Sequence, residues 1–166
     1  QANIIRVRDG WDSEELEDLL QALEYTAVQD DGLRRYARFQ RVTRILHLAY
    51  AERKSKASRD DEGSSMSSSS SKLGLSHNEL VAIRDLQLLE KEYLRAWEQS
   101  AEDDIDDDAQ LERLWVHLQH VKFDRIKWTA RLGATTKAHA LAAYQLMLSE
   151  QRKILGDRNR HTINLM

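Results

Sequence analysis

The stretch from Glu79 to Ser100, ELVAIRDLQLLEKEYLRAWEQS, decides the fold class of this chain. Its apolar residues recur every three or four positions, which is the spacing of one face of an α-helix. Ser76 and Glu79 have the spacing of a capping box, in which each side chain binds the other's backbone amide. We therefore predict that a helix begins here and packs its apolar row into a core or an interface. The row consists of Ala82, Leu86, Leu89, Tyr93, Ala96 and Trp97.

Composition extends the helical prediction to the whole chain. The 166 residues include no proline and only six glycines, and both are more frequent where strands and tight turns occur. Cysteine is absent, which excludes disulfide bonds and thiolate zinc sites and fits a reducing compartment. No apolar run approaches the length of about 20 residues that a membrane span needs. We predict an all-α protein without a membrane partner.

Charge is distributed in blocks along the chain. Residues 1–32 carry nine acidic and two basic side chains, whereas residues 33–56 carry one acidic and eight basic ones. The spacing predicts a first helix from Asp12 or Ser13 to near Gly32 and a second from about Leu33 to Lys56. Their short connection favours an antiparallel hairpin that places the acidic helix beside the basic one.

A serine-rich run, DDEGSSMSSSSSKLG, follows the hairpin. Serine side chains bury too little apolar surface to order such a segment, so we interpret residues 57–75 as a linker. The predicted organisation is a charged helical hairpin over 1–56, this linker, a three-helix assembly domain over 76–157 and a tail over 158–166. We expect the tail to stay mobile or to add an edge strand in an assembly.

Two further helices are predicted at about Ala109–Leu132 and Thr136–Leu155, and glycines follow both. Each carries apolar residues on more than one face, more than so short a helix pair can bury within itself. Contacts with other subunits are the simplest solution, so we predict a homo-oligomer or a larger complex. The candidate interface residues are Trp97, Trp115, Trp128, Tyr144, Leu148 and Leu155.

The acidic run between the third and fourth helices resembles part of a calcium loop. Asp104, Asp106 and Asp108 match the first three ligand positions of an EF-hand. The loop then requires glycine and, at its twelfth position, glutamate, but Ala109 and Trp115 stand there. We therefore predict a solvated connection rather than a calcium site.

Other catalytic or metal-binding patterns are weak. His117, His120 and Asp124 share a helical face, but no fourth ligand is specified, so a polar rim is the simpler interpretation. The sequence has no glycine-flanked nucleophile and no glycine loop that would cradle a phosphate. We predict no catalytic residue, no metal and no cofactor, and hence a protein that is not an enzyme.

The basic helix is the best candidate for a binding site. Its arginines recur at helical spacing and match phosphate geometry with paired donors, which predicts contacts with the backbone of duplex DNA. The alternative is that they pair with Glu14, Glu17 or Glu24 of the first helix, or with an acidic run of a neighbour. The candidate nucleic-acid-binding residues are Arg34, Arg35, Arg38, Arg41 and Arg44.

Residues of about 79–157 resemble small terminase subunits of phages and related phage helical proteins. The resemblance lies in a Trp-Glu-x-Ser element at Trp97–Ser100, in QRKILGD at Gln151–Asp157, and in ALAAYQLMLSEQRKILG as the last helix. It implies structural or oligomer-forming roles for the matching positions, which are Trp97, Ser100, Arg152, Ile154, Leu155 and Gly156.

The resemblance also implies a function, namely a ring-forming adaptor that binds viral DNA and regulates a large terminase-type ATPase. Such a protein is found in the host cytoplasm or in the virion. Residues 1–56 depart from the family pattern, because they contain no convincing helix-turn-helix. Either the DNA-binding part lies upstream of Gln1, or the similarity concerns only an assembly helix pair. The alternative function is a helical scaffold or accessory subunit of a larger complex without nucleic-acid binding.

Overall fold

The computed structural model describes residues 10–27, 30–61, 74–102 and 108–163, and these residues form six α-helices and no strand. The all-α prediction is confirmed. Contacts divide the chain into two compact units, Gln1–Ala82 (unit 1) and Ile83–Met166 (unit 2). The domain boundaries expected from composition stay a prediction. The helices are α1 (Glu14–Thr26), α2 (Asp31–Asp61), α3 (His77–Glu102), α4 (Asp108–Arg131), α5 (Lys137–Leu155) and α6 (Arg160–Ile163).

Side-chain caps fix where the helices begin. The Ser13 hydroxyl accepts a hydrogen bond from the Leu16 amide, and Thr136 caps α5 in the same way. The predicted capping box at the start of α3 is confirmed. The Ser76 amide donates to the Glu79 carboxylate at 2.6 Å, and the Glu79 amide donates to the Ser76 hydroxyl at 3.3 Å. Each cap satisfies amides that the first helical turn leaves without a partner.

The predicted end of the first helix, near Gly32, is wrong. α1 ends at Thr26, where the Ala27 amide still donates to the Leu23 carbonyl. Asp30 then caps the next helix, because its carboxylate accepts the Leu33 amide at 2.9 Å. The acidic residues that seemed to end one helix therefore begin the other.

The predicted end of the second helix is also wrong. α2 continues five residues past Lys56 to Asp61, so residues 57–61 are helical rather than part of the linker. Alanine and arginine there are good helix formers, and the serine run begins only later. The remaining linker residues up to 73 lie outside the described residues, as do Asp104 and Asp106 of the acidic connection.

The predicted limits of the last two long helices are correct to within one residue. α4 ends at Arg131, shortly before Gly133, and α5 ends at Leu155, directly before Gly156. Both glycines have positive φ angles, 75° and 81°. A residue with a side chain rarely adopts this conformation, so glycine allows the backbone to leave the helix there.

The expectation of a mobile tail or an edge strand is wrong for residues 158–163. They form a turn followed by α6. The Asn159 side chain donates a hydrogen bond to Glu112 at 2.9 Å and accepts one from the His161 amide. Thr162 is fully buried. The hydrogen bond to α4 and the local cap at His161 therefore both help to hold this short helix.

Unit 1 has a small apolar core. α1 packs against α2 and buries Leu16 and Leu20, while α2 buries a row of its own residues. The charged side chains around these leucines make the pairs described below. The buried residues of α2 are Ala37, Val42, Thr43 and Leu46.

Unit 2 is built around α4, which buries both of its apolar rows. On one side Ile126 packs against Ala140 and Met147 of α5. Trp115, three helical turns before Ile126 and thus in the same row, meets Trp97 of α3 with ring centroids 5.0 Å apart. The other row, which includes Leu118, Val121 and Trp128, is also buried. The two apolar faces of α4 are thus covered within one chain, which the sequence analysis did not expect. The second apolar face of α5 is not covered in this way.

Candidate interaction surfaces

The arginine row of α2 is partly occupied by acidic residues of α1. Arg44 lies 2.9 Å from Glu17, and Arg41 pairs with both Glu17 and Glu24. Arg44 also donates to the Ser13 carbonyl. These contacts are the arrangement foreseen by the alternative interpretation, in which the basic helix lies against the acidic one.

The other arginines of the row lie nearer the start of α2. Arg34 is exposed and forms an ion pair with Asp31 at 2.7 Å. Arg35 and Arg38 are half-buried and also have partners in the structure. DNA binding by the row stays a prediction, and its accessible part is centred on Arg34 rather than on Arg41.

A second arginine contact was missed by the sequence analysis. Arg53 of α2 donates through two nitrogens to the Glu79 carboxylate, each at 2.5 Å, and through Nη2 to the Gly74 carbonyl at 3.0 Å. Glu79 is 1% exposed. The capping residue of α3 is therefore also the buried end of an ion pair that ties α3 to α2.

Two opposing effects act on the pKa of Glu79. Desolvation raises this pKa, whereas the hydrogen bonds from Arg53 and Ser76 together lower it by more. The net pKa lies below the ordinary value of 4.5. Glu79 therefore stays charged in the folded protein at neutral and mildly acidic pH.

The tryptophans predicted as interface residues lie mostly inside unit 2. Trp128 is fully buried and Trp115 is 6% exposed, so these two rings leave almost no surface for a second copy. Trp97 is half-buried against Trp115. The expectation that Trp97 is a packed residue agrees with this contact.

The remaining predicted interface residues lie on α5. Tyr144, Leu148 and Leu155 are half-buried. Beside them, Leu141 and Leu146 expose 58% and 63% of their surface, and Ile154 exposes 47%. We call the exposed residues of this side the outer face of α5, which consists of Ala138, Leu141, Ala142, Gln145, Leu146 and Ser149.

Two adjoining grooves run along α5 beside this face. One, of about 390 Å³, has apolar walls that include Phe123, Tyr144 and Leu148. The walls of the other groove, of about 430 Å³, also include Leu148 and extend to Arg152. In the first groove, desolvation and the charge of Asp124 raise the pKa of Tyr144, so its hydroxyl stays protonated.

The histidine and acidic residues of α4 do not form a metal site. Asp124 pairs with Lys127 at 2.5 Å, and the His117 ring lies against Tyr93. Among the residues that the structure describes, no group of three or more potential ligands is arranged to hold a metal ion. Desolvation and the nearby His161 lower the pKa of His120, while Asp124 partly opposes them.

Several polar side chains are buried in unit 2. Gln119 and Gln151 are each 1% exposed, and Thr162 is fully buried. Within the described part of the chain, both amide atoms of Gln119 and the side-chain oxygens of the other two have no hydrogen-bond partner. Such groups are costly to bury, and helical periodicity gives no signal for them.

None of the helices in the described ranges is both long and apolar enough to cross a membrane.

Comparisons with known proteins add no family assignment. No protein-family model matches the chain, and searches of curated proteins and of solved structures find no significant match. The resemblance to small terminase subunits thus rests on the short motifs of the sequence itself.

Proposed function

We propose that this chain is a non-enzymatic helical assembly subunit, which acts by binding protein through the outer face of α5. The observation that carries the proposal is the character of this face. From Ala138 to Ser149 the chain has no Asp, Glu, Lys or Arg, although 32% of the whole chain is charged. Two large aliphatic side chains, Leu141 and Leu146, are more than half exposed there.

Surface leucines occur singly on many proteins, but an uncharged helix face is different. The centres of protein interfaces are depleted of charged residues, and extended apolar patches on soluble chains mark interaction sites. Other exposed segments of this chain are highly charged, for example around Glu52 and Lys56 of α2. The absence of charge on α5 is therefore local, which favours a binding role for this helix.

The test uses the absence of cysteine in the natural chain. In Gln145→Cys the only thiol lies on the outer face of α5, and in the control Gln87→Cys it lies at an exposed position of α3. We expect a membrane-permeant maleimide to label Cys at 145 several-fold more slowly in the native cell than in purified protein at nanomolar concentration. The control should label equally fast in both. Equal rates at both positions in the cell would refute the proposal.

A second candidate is the phage-type packaging adaptor that the resemblance implies. One observation favours it, because the side chain of Arg34 in this row is exposed, although it also pairs with Asp31 of its own helix. On this proposal the ring would bind duplex DNA and act with a large terminase-type ATPase.

The DNA-binding candidate is tested by gel shifts across a salt series. Each phosphate that is neutralised adds about 0.9 to the slope of log affinity against log salt. The double variant Arg34→Ala, Arg38→Ala should therefore flatten this slope by about two units. The control Lys54→Ala, Lys56→Ala removes the same charge from the other end of α2 and should leave the slope unchanged. Absence of DNA binding by the wild type at low salt would exclude the packaging role for this segment.

A further inference from the structure

We infer that the acidic side of α1 binds the basic side of α3 in a second copy of this chain, with the two helices antiparallel. The inference goes beyond the proposed function, because it assigns a second contact surface that does not involve α5. Both sides are exposed in the single chain. Charge and spacing, rather than apolar character, identify the occupant of each.

The exposed side of α3 is basic, although the helix as a whole has six acidic residues and only three basic ones. Between residues 84 and 95 its acidic side chains are half-buried, and Glu90 among them pairs with Arg125 at 2.6 Å. The exposed side chains of this stretch therefore include no acid. Four of them form one row at helical spacing, namely Arg84, Leu88, Lys91 and Arg95.

The exposed side of α1 has the opposite charge. This helix contains five acidic residues and no basic one, and it buries Leu16 and Leu20 on its other side. A helix dipole favours acids in the first turn, but Asp18 lies beyond that turn. Tyr25 exposes 74% of its surface. The exposed row consists of Glu14, Asp18, Gln21 and Tyr25.

The two rows match in spacing and in charge when the helices are antiparallel. Both rows have intervals of four, three and four residues, so their members face each other over a length of about 17 Å at a rise of about 1.5 Å per residue. Two opposite-charge pairs form, and an aromatic ring meets a guanidinium group, which is a favourable cation–π contact. The pairs are Glu14–Arg95, Asp18–Lys91, Gln21–Leu88 and Tyr25–Arg84.

A parallel arrangement matches fewer charges. It would place Asp18 against Leu88 and leave Glu14 with Arg84 as the one ion pair between the rows. Complementary charges fix the orientation and register of a contact more than they raise its affinity, so the antiparallel arrangement is favoured. Every copy carries both rows, and the contact therefore joins identical chains without a second protein, as in most soluble oligomers.

Exchange of the charges tests the contact. The double variant Lys91→Glu, Arg95→Glu makes the α3 row acidic, and Glu14→Lys, Asp18→Lys makes the α1 row basic. In sedimentation equilibrium at low salt, we expect reversible association of the wild type and at least tenfold weaker association of each variant alone. An equimolar mixture of the two variants should associate again, because each row then finds the opposite charge in the other chain.

The control Lys54→Glu, Lys56→Glu makes the same change of net charge at exposed positions of α2 and should associate like the wild type. A monomeric wild type would overturn the inference, as would a mixture that does not recover. Association that survives both exchanges but is lost in Leu141→Glu would place the second copy on α5 and would also overturn it. Maleimide labelling at residue 145 tests the proposed function separately.

Disulfide cross-linking tests the register with the two ion pairs intact. A mixture of the single-cysteine variants Tyr25→Cys and Arg84→Cys should form a mixed disulfide on oxidation. Glu98→Cys in place of Arg84→Cys should not, because it lies about 21 Å further along α3. The reverse result would mean a parallel pair and overturn the inference. Gln87 lies about 70° around α3 from the centre of the row, so it stays outside the contact and remains a valid labelling control.

Discussion

In unit 1, α1 lies against α2 with two fully buried leucines, Leu16 and Leu20, and with ion pairs around them. In unit 2, α4 lies between its neighbours with three tryptophans and a wider apolar core. The paired groups of the hairpin are 13–33% exposed, whereas Trp128 is fully enclosed. Unit 1 therefore relies more on ion pairs, which solvent screens, whereas unit 2, which also has ion pairs such as Arg125–Glu90, relies more on apolar burial.

The largest expected effect is the loss of a tryptophan from unit 2. Trp128→Ala should lower the free energy of unfolding by about 3–5 kcal/mol, because it leaves a large cavity in a closed core. Trp97→Ala is the matched comparison and should cost clearly less, since Trp97 is half-buried. Urea denaturation followed by circular dichroism measures both. Equal losses would show that Trp97 is as enclosed as Trp128 in solution.

Removal of the partner of Glu79 should destabilise unit 1 by a smaller amount. Arg53→Met keeps the aliphatic stem but leaves a buried carboxylate without its charged donor. Hydrogen bonds to charged groups contribute about 1.5–3 kcal/mol each, and we expect a loss of that order in urea denaturation. Lys54→Met, at the exposed neighbouring position, is the control. If both variants unfold at the same urea concentration, the Arg53 contact does not stabilise the fold.

Removal of the buried amide of Gln119 should stabilise the protein, in contrast to the substitutions above. Gln119→Met preserves the length of the side chain and removes two buried polar atoms that lack partners among the described residues. Unpaired buried groups cost about 1–3 kcal/mol each, so the variant should melt at a higher temperature than the wild type. A lower melting temperature would mean that a bound water or another group satisfies the amide.

Salt should change the stability of the two units to different degrees, by a smaller amount than the substitutions above. Partly exposed ion pairs contribute about 0.2–1 kcal/mol each and are screened by salt. Raising sodium chloride from low to high concentration should therefore weaken the α1–α2 hairpin more than unit 2, whose ion pairs, such as Lys122–Glu150, accompany a wider apolar core. Hydrogen exchange at Leu20 and Val121 amides reports on the two units. The double variant Arg41→Gln, Arg44→Gln should abolish the salt effect if these pairs cause it.

Acid should also affect the stability of the two units differently. The stability change caused by titration of His120 should be the smallest of the predicted effects. Its pKa is lowered on folding, so the unfolded chain binds more protons as the pH falls below 6.5. Unit 2 should thus lose stability below that pH, and His120→Gln should remove the loss. The pKa of Glu79 is also lowered, so its contribution persists above 4.5 and is lost at more acidic pH. Melting curves between pH 8 and 3 would show whether unit 2 loses stability at a higher pH than unit 1. A loss of stability that begins in unit 1 as the pH falls would contradict the prediction.

Local sequence rules predict the beginnings and glycine ends of helices well. Ser76 caps α3 as its spacing with Glu79 predicted, and Ser13, one of two candidates, caps α1, because a cap involves only residues within one helical turn. The charge blocks likewise predicted that α1 and α2 lie side by side. The limits of α1 and α2 were less accurate, since the acidic residues before Leu33 fit both the end of one helix and the start of the next.

Contacts between residues distant in sequence could not be predicted in this way. Arg53 and Glu79 are 26 positions apart, and nothing in either local sequence specifies the other. Periodicity showed two apolar rows on α5 but not that Ala140 and Met147 would be the buried ones. The burial of both faces of α4 depends on the approach of α3 and α5, which no single helix encodes.

The contact of Arg53 with both Gly74 and Glu79 has a practical use in protein engineering. The start of α3 is anchored by residues on either side of 62–73, so an insertion within that stretch does not interrupt the anchoring bonds. A fluorescent reporter or affinity tag placed there should leave both helical units intact, and the label would be distant in sequence from α5.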